Sequence, residues 1–326
     1  MKKESEFRQF YETNLLGFLK EFDKKRSYLM NIRIINLLLL FSMIPIGIGL
    51  MSFSDGEEPL MLLLLLPILV VIIILAVKRH KRMQLFRAEY KNEVIKKIVT
   101  FLDPNLNFEY QNRISDAEFY KSKIFLTSAD RSKGEDLIYG KLDKTEIMFS
   151  ELHLEYKTSS TDSNGNRNDQ WHTIFKGIFF IADFNKHFQT ETVVLPDGLE
   201  KLFGKFARSL QKISTRKGKL IQLENPEFEK YFKVYADDPI ESRYILSPAL
   251  MERIVEFRKK SNIKISLSFI DSKIYMALPI TKDLFEPRVF NNNYDFEFIK
   301  ESFGYLLLFT SIVDEMNLNT RIWTKE

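Results

Sequence analysis

Two stretches without a charged residue constrain this chain more than anything else in it: "IINLLLLFSMIPIGIGL" from Ile34 to Leu50 and "LMLLLLLPILVVIIILAV" from Leu60 to Val77. Each approaches the roughly 20 residues needed to cross a hydrocarbon core of about 30 Å. A cleaved signal sequence fits poorly, because a long polar stretch precedes the first run and a second run follows almost at once. The pattern predicts a transmembrane helical hairpin over residues 34–77. Pro45 and Pro67 lie inside the runs, and each removes a backbone donor, so a kink is expected at both. The connecting "MSFSDGEEP" carries Asp55, Glu57 and Glu58 and no base. Basic collars flank the pair instead: Lys24, Lys25, Arg26 and Arg33 before it, Lys78, Arg79, Lys81 and Arg82 after it. The positive-inside rule then puts both termini in the cytoplasm. The same collars should be drawn to anionic headgroups by about 1 kcal/mol per residue near the surface.

Residues 1–33 predict an amphipathic helix, with Phe7, Phe10, Tyr11, Leu15, Phe18 and Phe22 on one face at three- and four-residue spacing. Its other face mixes glutamates with lysines, which suits packing on a partner helix better than lying on acidic lipid. Residues 78–103 continue the second run as a helical stalk, with Met83, Phe86, Tyr90, Val94 and Ile98 in phase, until Asp103-Pro104 stops it. The stalk is the expected partner of the N-terminal helix. Residues 104–326 are expected to form one cytoplasmic domain.

The formal charge of +4 does not point to nucleic acid once it is divided along the chain. Residues 1–103 hold 16 Lys/Arg against 11 Asp/Glu, leaving 32 basic and 33 acidic residues beyond them. The excess lies beside the apolar runs rather than on a stripe that would release counterions from a phosphate backbone. The absence of cysteine removes disulfides, thiolate nucleophiles, iron–sulfur clusters and Cys-ligated zinc. No phosphate loop, dinucleotide fingerprint, nucleophile elbow or zinc-protease helix is present. "RKGK" at 216–219 reads as a solvated basic turn. Neither a cofactor nor a metal is expected.

Within the C-terminal region, Thr145 to Phe184 reads as a long hairpin around "SSTDSNGNRND". Apolar residues fall on odd positions at Ile147 and Phe149, then on even ones at Leu152, Leu154 and Tyr156, which asks for a bulge near Ser150 and Glu151. A two-residue turn at Asn164-Gly165 would set Leu154 opposite Phe175 and Tyr156 opposite Thr173. The same register places His153 opposite Lys176 and His172 opposite Lys157, about 13 Å apart and too far to share a metal. His80 and His187 read as surface residues. A second hairpin, "IKISLSFIDSKIYMALPI", turns at Asp271-Ser272 and pairs Phe269 with Ile274, Leu267 with Met276 and Ile265 with Leu278. A strand near Thr192 to Leu195, a helix around Leu199 to Leu210, a strand at Lys219 to Leu223 and a closing helix from about Tyr294 to Met316 complete the reading. The fold class is α+β: a membrane hairpin and stalk, then a largely antiparallel sheet with packed helices.

"YADDPIESRYILSP", Tyr235 to Pro248, resembles a cluster of catalytic groups, yet two helix starts explain most of it. Asp238, followed by Pro239 and by Glu241 at the third helical position, is a capping-box pattern. Ser247-Pro248 is a second start, for the helix carrying Leu250, Met251, Ile254, Val255 and Phe257. Asp237, Arg243 and Tyr244 remain as a possible polar binding cluster, with Arg243 expected to pair with Asp237 or Glu241.

The stretches "LENPEFEKYFKVYADDPIESRYILSPALMERI" and "FKGIFFIADFNKHFQTETVVLPD", with the two apolar runs before them, resemble an uncharacterised bacterial family of two-span membrane proteins known only as a domain of unknown function. The resemblance runs over nearly the whole chain. It implies a bacterial inner-membrane location with a cytoplasmic C-terminal domain, and no reaction or site residue. The function expected is a membrane-anchored, non-enzymatic binding or scaffold module that engages a protein partner or self-associates. A membrane-bound hydrolase or transferase using the carboxylates near Asp237 and Arg243 is one alternative. An oligomeric channel or transporter subunit is another, although the runs offer only Asn36 and Ser42 as polar lining.

Overall fold

The computed structural model describes residues 4–52, 65–161, 165, 167–184, 186–198 and 218–318. The acidic connecting loop, the start of the second apolar run, Asn164 of the expected turn, the helix read at 199–210 and residues 216–217 lie outside these. The chain divides into two compact units. One gathers Lys2–Lys97 with Phe285–Phe303, and the other gathers Ile98–Leu284 with the chain from Gly304 onward. Segment Phe285–Phe303, expected in the C-terminal domain, therefore belongs with the N-terminal helices.

In the helical unit, α1 (Glu4–Phe10) passes through a π-helical turn, Tyr11–Leu15, into α2 (Leu16–Ser52). Glu4–Gly49 forms one 46-residue helix of mean hydropathy 2.0 over its most apolar window, long and apolar enough by length and composition to cross a membrane. Helix α3 (Leu66–Tyr90) runs antiparallel to α2 and continues through a second π turn, Lys91–Ile95, into α4 (Lys96–Leu102). Contact extends from Phe22, stacked on Phe86 with centroids 4.1 Å apart, to Gly47, whose open Cα side faces Leu65. Pro45 lies within α2. Pro67, expected as an internal kink, stands in the first turn of α3.

The amphipathic face of the N-terminal helix is buried at Phe7, Tyr11, Leu15, Leu19 and Phe22, and its stalk partner at Phe86, Tyr90, Val94 and Ile98. A third element joins them that spacing alone did not reveal. The first half of α9 (Phe296–Glu315) sets Phe303 flat on Phe7, centroids 3.9 Å apart, and Phe296 edge-on to Tyr11 at 5.2 Å. Such aromatic pairs add about 0.5–1.5 kcal/mol each beyond their buried area.

The second unit is built on a nine-stranded sheet in which every neighbouring pair is antiparallel. Its strands are β1 (Leu106–Glu109), β2 (Arg131–Leu142), β3 (Thr145–Thr161), β4 (Arg167–Asp183), β5 (Thr192–Pro196), β6 (Lys219–Ile221), β7 (Phe232–Ala236), β8 (Ser266–Ile270) and β9 (Lys273–Pro279). Their order is β1-β2-β3-β4-β9-β8-β5-β7-β6. Short helices α5 (Asp116–Lys121), α6 (Pro226–Tyr231) and α7 (Pro239–Ile245) and the longer α8 (Pro248–Ser261) complete the unit with the second half of α9.

The β3/β4 hairpin forms with Leu154 opposite Phe175, as its apolar pattern requires. The bulge expected in β3 at Ser150 and Glu151 is absent, since β3 pairs continuously with β4 from Ile147 to Leu154. The apolar phase changes because both faces of the sheet are covered. Ser150, Leu152 and Leu154 share a face with Phe179, Gly177 and Phe175, and α5 closes that core through Phe119. Ile147 and Phe149 share the other face with Ala182 and Phe180, where Phe309 of α9 meets Phe149 edge-on at 5.5 Å. An irregularity does lie at Ser150, but its extra residue is on the partner strand, in β2 between Glu135 and Ile138, and a second extra residue is in β4 at Ile174. The latter shifts the outer register by one, so Tyr156 faces His172 rather than Thr173, and Lys157 faces Trp171.

The β8/β9 hairpin turns at Asp271 and Ser272, both with positive φ (52° and 58°), the signature of a type I′ turn. Phe269 pairs with Ile274 and Leu267 with Met276; the strand begins at Ser266, one residue after Ile265. Gly177 carries a different constraint. Its φ is +152°, and a Cβ there would lie 2.1 Å from the carbonyl oxygen of Leu278. Gly177→Ala should destabilise the sheet unit by about 1–3 kcal/mol, measured as a lowered thermal midpoint. An unchanged midpoint would mean that the β4/β9 seam yields.

Candidate functional sites

The stretch Phe232–Ser261 folds as β7, α7 and α8 in succession. The Asp238 carboxylate accepts from Ile240 N at 2.7 Å, and Ser247 Oγ accepts from Leu250 N at 3.4 Å. Glu241 does something other than box its own helix. Its carboxylate accepts from Gln189 N at 2.9 Å, from Thr190 N at 2.6 Å and from the Thr190 hydroxyl, tying α7 to the segment that leads into β5. Partial burial pushes this carboxyl upward, but the Thr190 and Gln189 donors outweigh it and hold it below the usual carboxylate range.

Because the folded-state value is lowered, the tie stabilises above the ordinary glutamate range and is lost as pH falls through the folded value. Glu241→Gln should cost roughly 1 kcal/mol near neutral pH and flatten the acid limb of the stability curve. Chemical denaturation at several pH values tests this, and parallel curves for variant and wild type would refute it.

Arg243 does not pair with Asp237 or Glu241 as expected. Its guanidinium donates to two backbone carbonyls, Pro239 O at 3.2 Å and Gln222 O at 3.3 Å, because α7 turns it toward the end of β6. Asp237 is exposed. Tyr244 is 39% exposed, and Lys186 lies 4.6 Å over its ring while donating to its carbonyl at 2.5 Å. Burial depresses the Lys186 ammonium below its usual range. Arg243 and Tyr244 thus engage separate groups.

A cleft of about 610 Å³ opens elsewhere in the sheet unit, and none of those three residues lines it. Its floor is a cross-strand row, Lys133 opposite His153 opposite Lys176. The same face continues as Glu135 opposite Glu151. Lys176 reaches Asp283 at 3.0 Å, and Glu151 accepts from Leu284 N at 2.9 Å. Directly opposed like charges repel, and here rows of contrary sign lie side by side. Such a cleft suits a polar chain carrying both charges. Register could have revealed it, but β2 was not read from sequence.

Beyond Glu155, where β2 ends, and before Gly177, where β9 begins to pair, β3 and β4 continue as a two-stranded arm. Trp171 is 43% exposed there, beneath the Arg131 guanidinium at 4.4 Å. Lys157 and Asp169 pair across the arm at 2.6 Å. Lys157, Ser159 and Arg167 hold the Asp169 carboxyl down at about 2. Among the described residues no group of three or more His, Asp or Glu side chains is placed to hold a metal ion.

In the helical unit the described part of the apolar runs is bare. Leu38 (64% exposed), Phe41, Ile44 and Ile48 stand out from α2, and Val70, Ile73, Ile74 and Val77 from α3. This sheath adjoins the two basic collars.

Residues 173–318 match the model of a protein family of unknown function, DUF3137. The match covers the chain from β4 through α9 and leaves out the helix pair. No curated protein matches the chain, and no solved structure does.

Proposed function

We propose that the chain is a membrane-anchored binding module. Helices α2 and α3 cross the bacterial cytoplasmic membrane as a hairpin, both termini face the cytoplasm, and the sheet unit holds a protein partner there. The observation that carries this reading is the continuous sheath of exposed large apolar side chains on both antiparallel helices, a kind of surface that marks an interaction or membrane site. Charge-free segments of this length belong in hydrocarbon, and the cations at both ends belong at headgroups on the cytoplasmic side. A non-enzymatic role is supported by the separate engagements of Arg243 and Tyr244. A protein partner is supported by the projecting arm, whose exposed Trp171 and paired charges are the residue types that anchor interfaces.

The test is crosslinking and affinity capture from native membranes with the full chain. A stoichiometric partner that is recovered with wild type and lost with Trp171→Ala and Arg167→Glu would support the module. Failure to recover any partner, with the chain intact in the membrane fraction, would count against it. If Asp237→Asn or Arg243→Lys abolished function while leaving capture unchanged, the enzyme reading would replace it.

A further inference from the structure

Between β9 and α9 the chain leaves the sheet unit and lays a short finger along the helix pair. Glu286 anchors its start, reached by Lys91 at 2.8 Å and by Arg87 at 3.1 Å. Four residues later, Phe290 O accepts from Arg26 at 3.4 Å, and the Arg33 guanidinium lies 4.6 Å over the Phe290 ring. The chain then returns. Asn293 N donates to Asp23 at 3.2 Å, and Tyr294 O accepts from the Tyr11 hydroxyl. In helix positions, the finger descends from the level of Tyr90 and Phe22 to Arg33 and climbs back toward Tyr11. Arg33 is the last residue before the apolar run, so Phe290 is the tip that reaches the start of the sheath.

The finger is built to hold that tip. Asn293, fully buried, accepts from Arg288 N at 2.7 Å and donates to Arg288 O at 2.9 Å, closing Arg288–Asn293 into a stapled loop. Arg288 in turn pairs with Asp295 at 3.0 Å and stacks 4.1 Å over Phe298. A loop so fixed nevertheless leaves Phe290 63% exposed. A second ring lies near the end of the other apolar run, where Arg82 of α3 covers the half-exposed Tyr28 of α2 at 4.6 Å. Arg82 is five residues beyond Val77 and Tyr28 six before Ile34, so both pairs lie within about 9 Å, along the axis, of an apolar run.

From this we infer that the Arg288–Asn293 loop is a membrane-interface element, with the Phe290 ring seated at the boundary between headgroups and acyl chains. The inference rests on the membrane-hairpin reading above. An exposed phenyl ring leaves water by inserting at the headgroup–acyl boundary, as the Trp, Phe and Leu of interfacial segments do, and an arginine beside it keeps its charge among phosphates while its stem lies against hydrocarbon. The lipid surface, rather than a protein, is the occupant that fits, because the tip is continuous with the sheath and flanked by Arg26 and Arg33. The loop would then tie the chain entering α9 to the depth of the bilayer.

The chain has no native cysteine, so single-site labelling needs no background substitution. Phe290→Cys and, separately, Leu38→Cys in the full chain would carry a nitrobenzoxadiazole dye in phosphatidylcholine–phosphatidylglycerol vesicles. Quenching is compared for nitroxide lipids labelled at the headgroup or deep in the acyl chain, and for aqueous iodide. The expected result is deep quenching at position 38, with stronger shallow than deep quenching and weak iodide access at position 290. Deep quenching at 38 with iodide-dominated quenching at 290 would overturn the inference and leave the hairpin standing. Iodide-dominated quenching at both positions would overturn both.

Discussion

Glu286→Ala should destabilise the helical unit by about 3–5 kcal/mol. The Lys91 side chain is 2% exposed and its ammonium lies 2.8 Å from the Glu286 carboxylate, which is itself 20% exposed. Removing the carboxylate leaves a buried cation beside the fully buried Tyr90, Val94 and Ile95. It must then stay charged without that carboxylate or give up its proton, and both cost free energy. Arg87, half exposed, loses the same acceptor but can turn to water. Replacing both partners by neutral groups of similar volume, Lys91→Met with Glu286→Gln, should recover most of the loss, because a buried pair contributes little net stability over a well-packed apolar substitute. Hydrogen exchange over Tyr90–Val99 reads both outcomes. Wild-type protection in Glu286→Ala would mean that Lys91 does not depend on this carboxylate. A double variant no better than the single would mean that the pair is needed for its own sake.

That ion pair also marks where sequence reading stopped. Lys91 sits between apolar stalk positions, and nothing local to it announces Glu286, which arrives from almost two hundred positions away. The same holds for the whole Phe285–Phe303 segment. Its helical half was legible as the closing helix expected from about Tyr294 to Met316, but helical spacing records only that one face is buried, not against what. Local patterns fared better. The β8/β9 hairpin was readable because a two-residue turn fixes every pair beyond it, whereas the β3/β4 register slipped outside Ile174, since one inserted residue leaves no compositional mark. The phase change at Ser150 was legible as a pattern and misread as a bulge in β3, because a strand covered on both faces can move its larger side chains from one face to the other without any irregularity of its own. Strand β7 ends inside the stretch Tyr235 to Pro248, whose helix starts at Asp238 and Ser247 carry no sign of it. Of the polar cluster, the helix starts at Asp238 and Ser247 follow local rules. Glu241 and Arg243 act on Gln189, Thr190 and Gln222, which only tertiary structure brings near.

Arginine at Phe41 and Ile44 should distinguish a hairpin in lipid from an apolar helix in water by the sign of the effect. Both side chains are more than 60% exposed near the middle of the first apolar run, so neither substitution opens a cavity in the protein. In hydrocarbon, each exchange of a large apolar residue for arginine near the helix centre costs about 3–4 kcal/mol. The pair, one helical turn apart, cannot both snorkel to the same surface cheaply. The double variant should therefore lose resistance to alkaline extraction from membranes. In water the same two arginines would cover bare apolar surface with charge and raise solubility at little cost. Leu85→Arg supplies the internal comparison. Leu85 is 70% exposed, more than either target, but it lies beyond the basic collar that follows Val77. It should behave as wild type in extraction. If Leu85→Arg released the chain as readily as the double variant, depth in a bilayer would not be what the exposed side chains share. If the double variant stayed in the carbonate-washed pellet as wild type does, α2 would not be the span proposed for it.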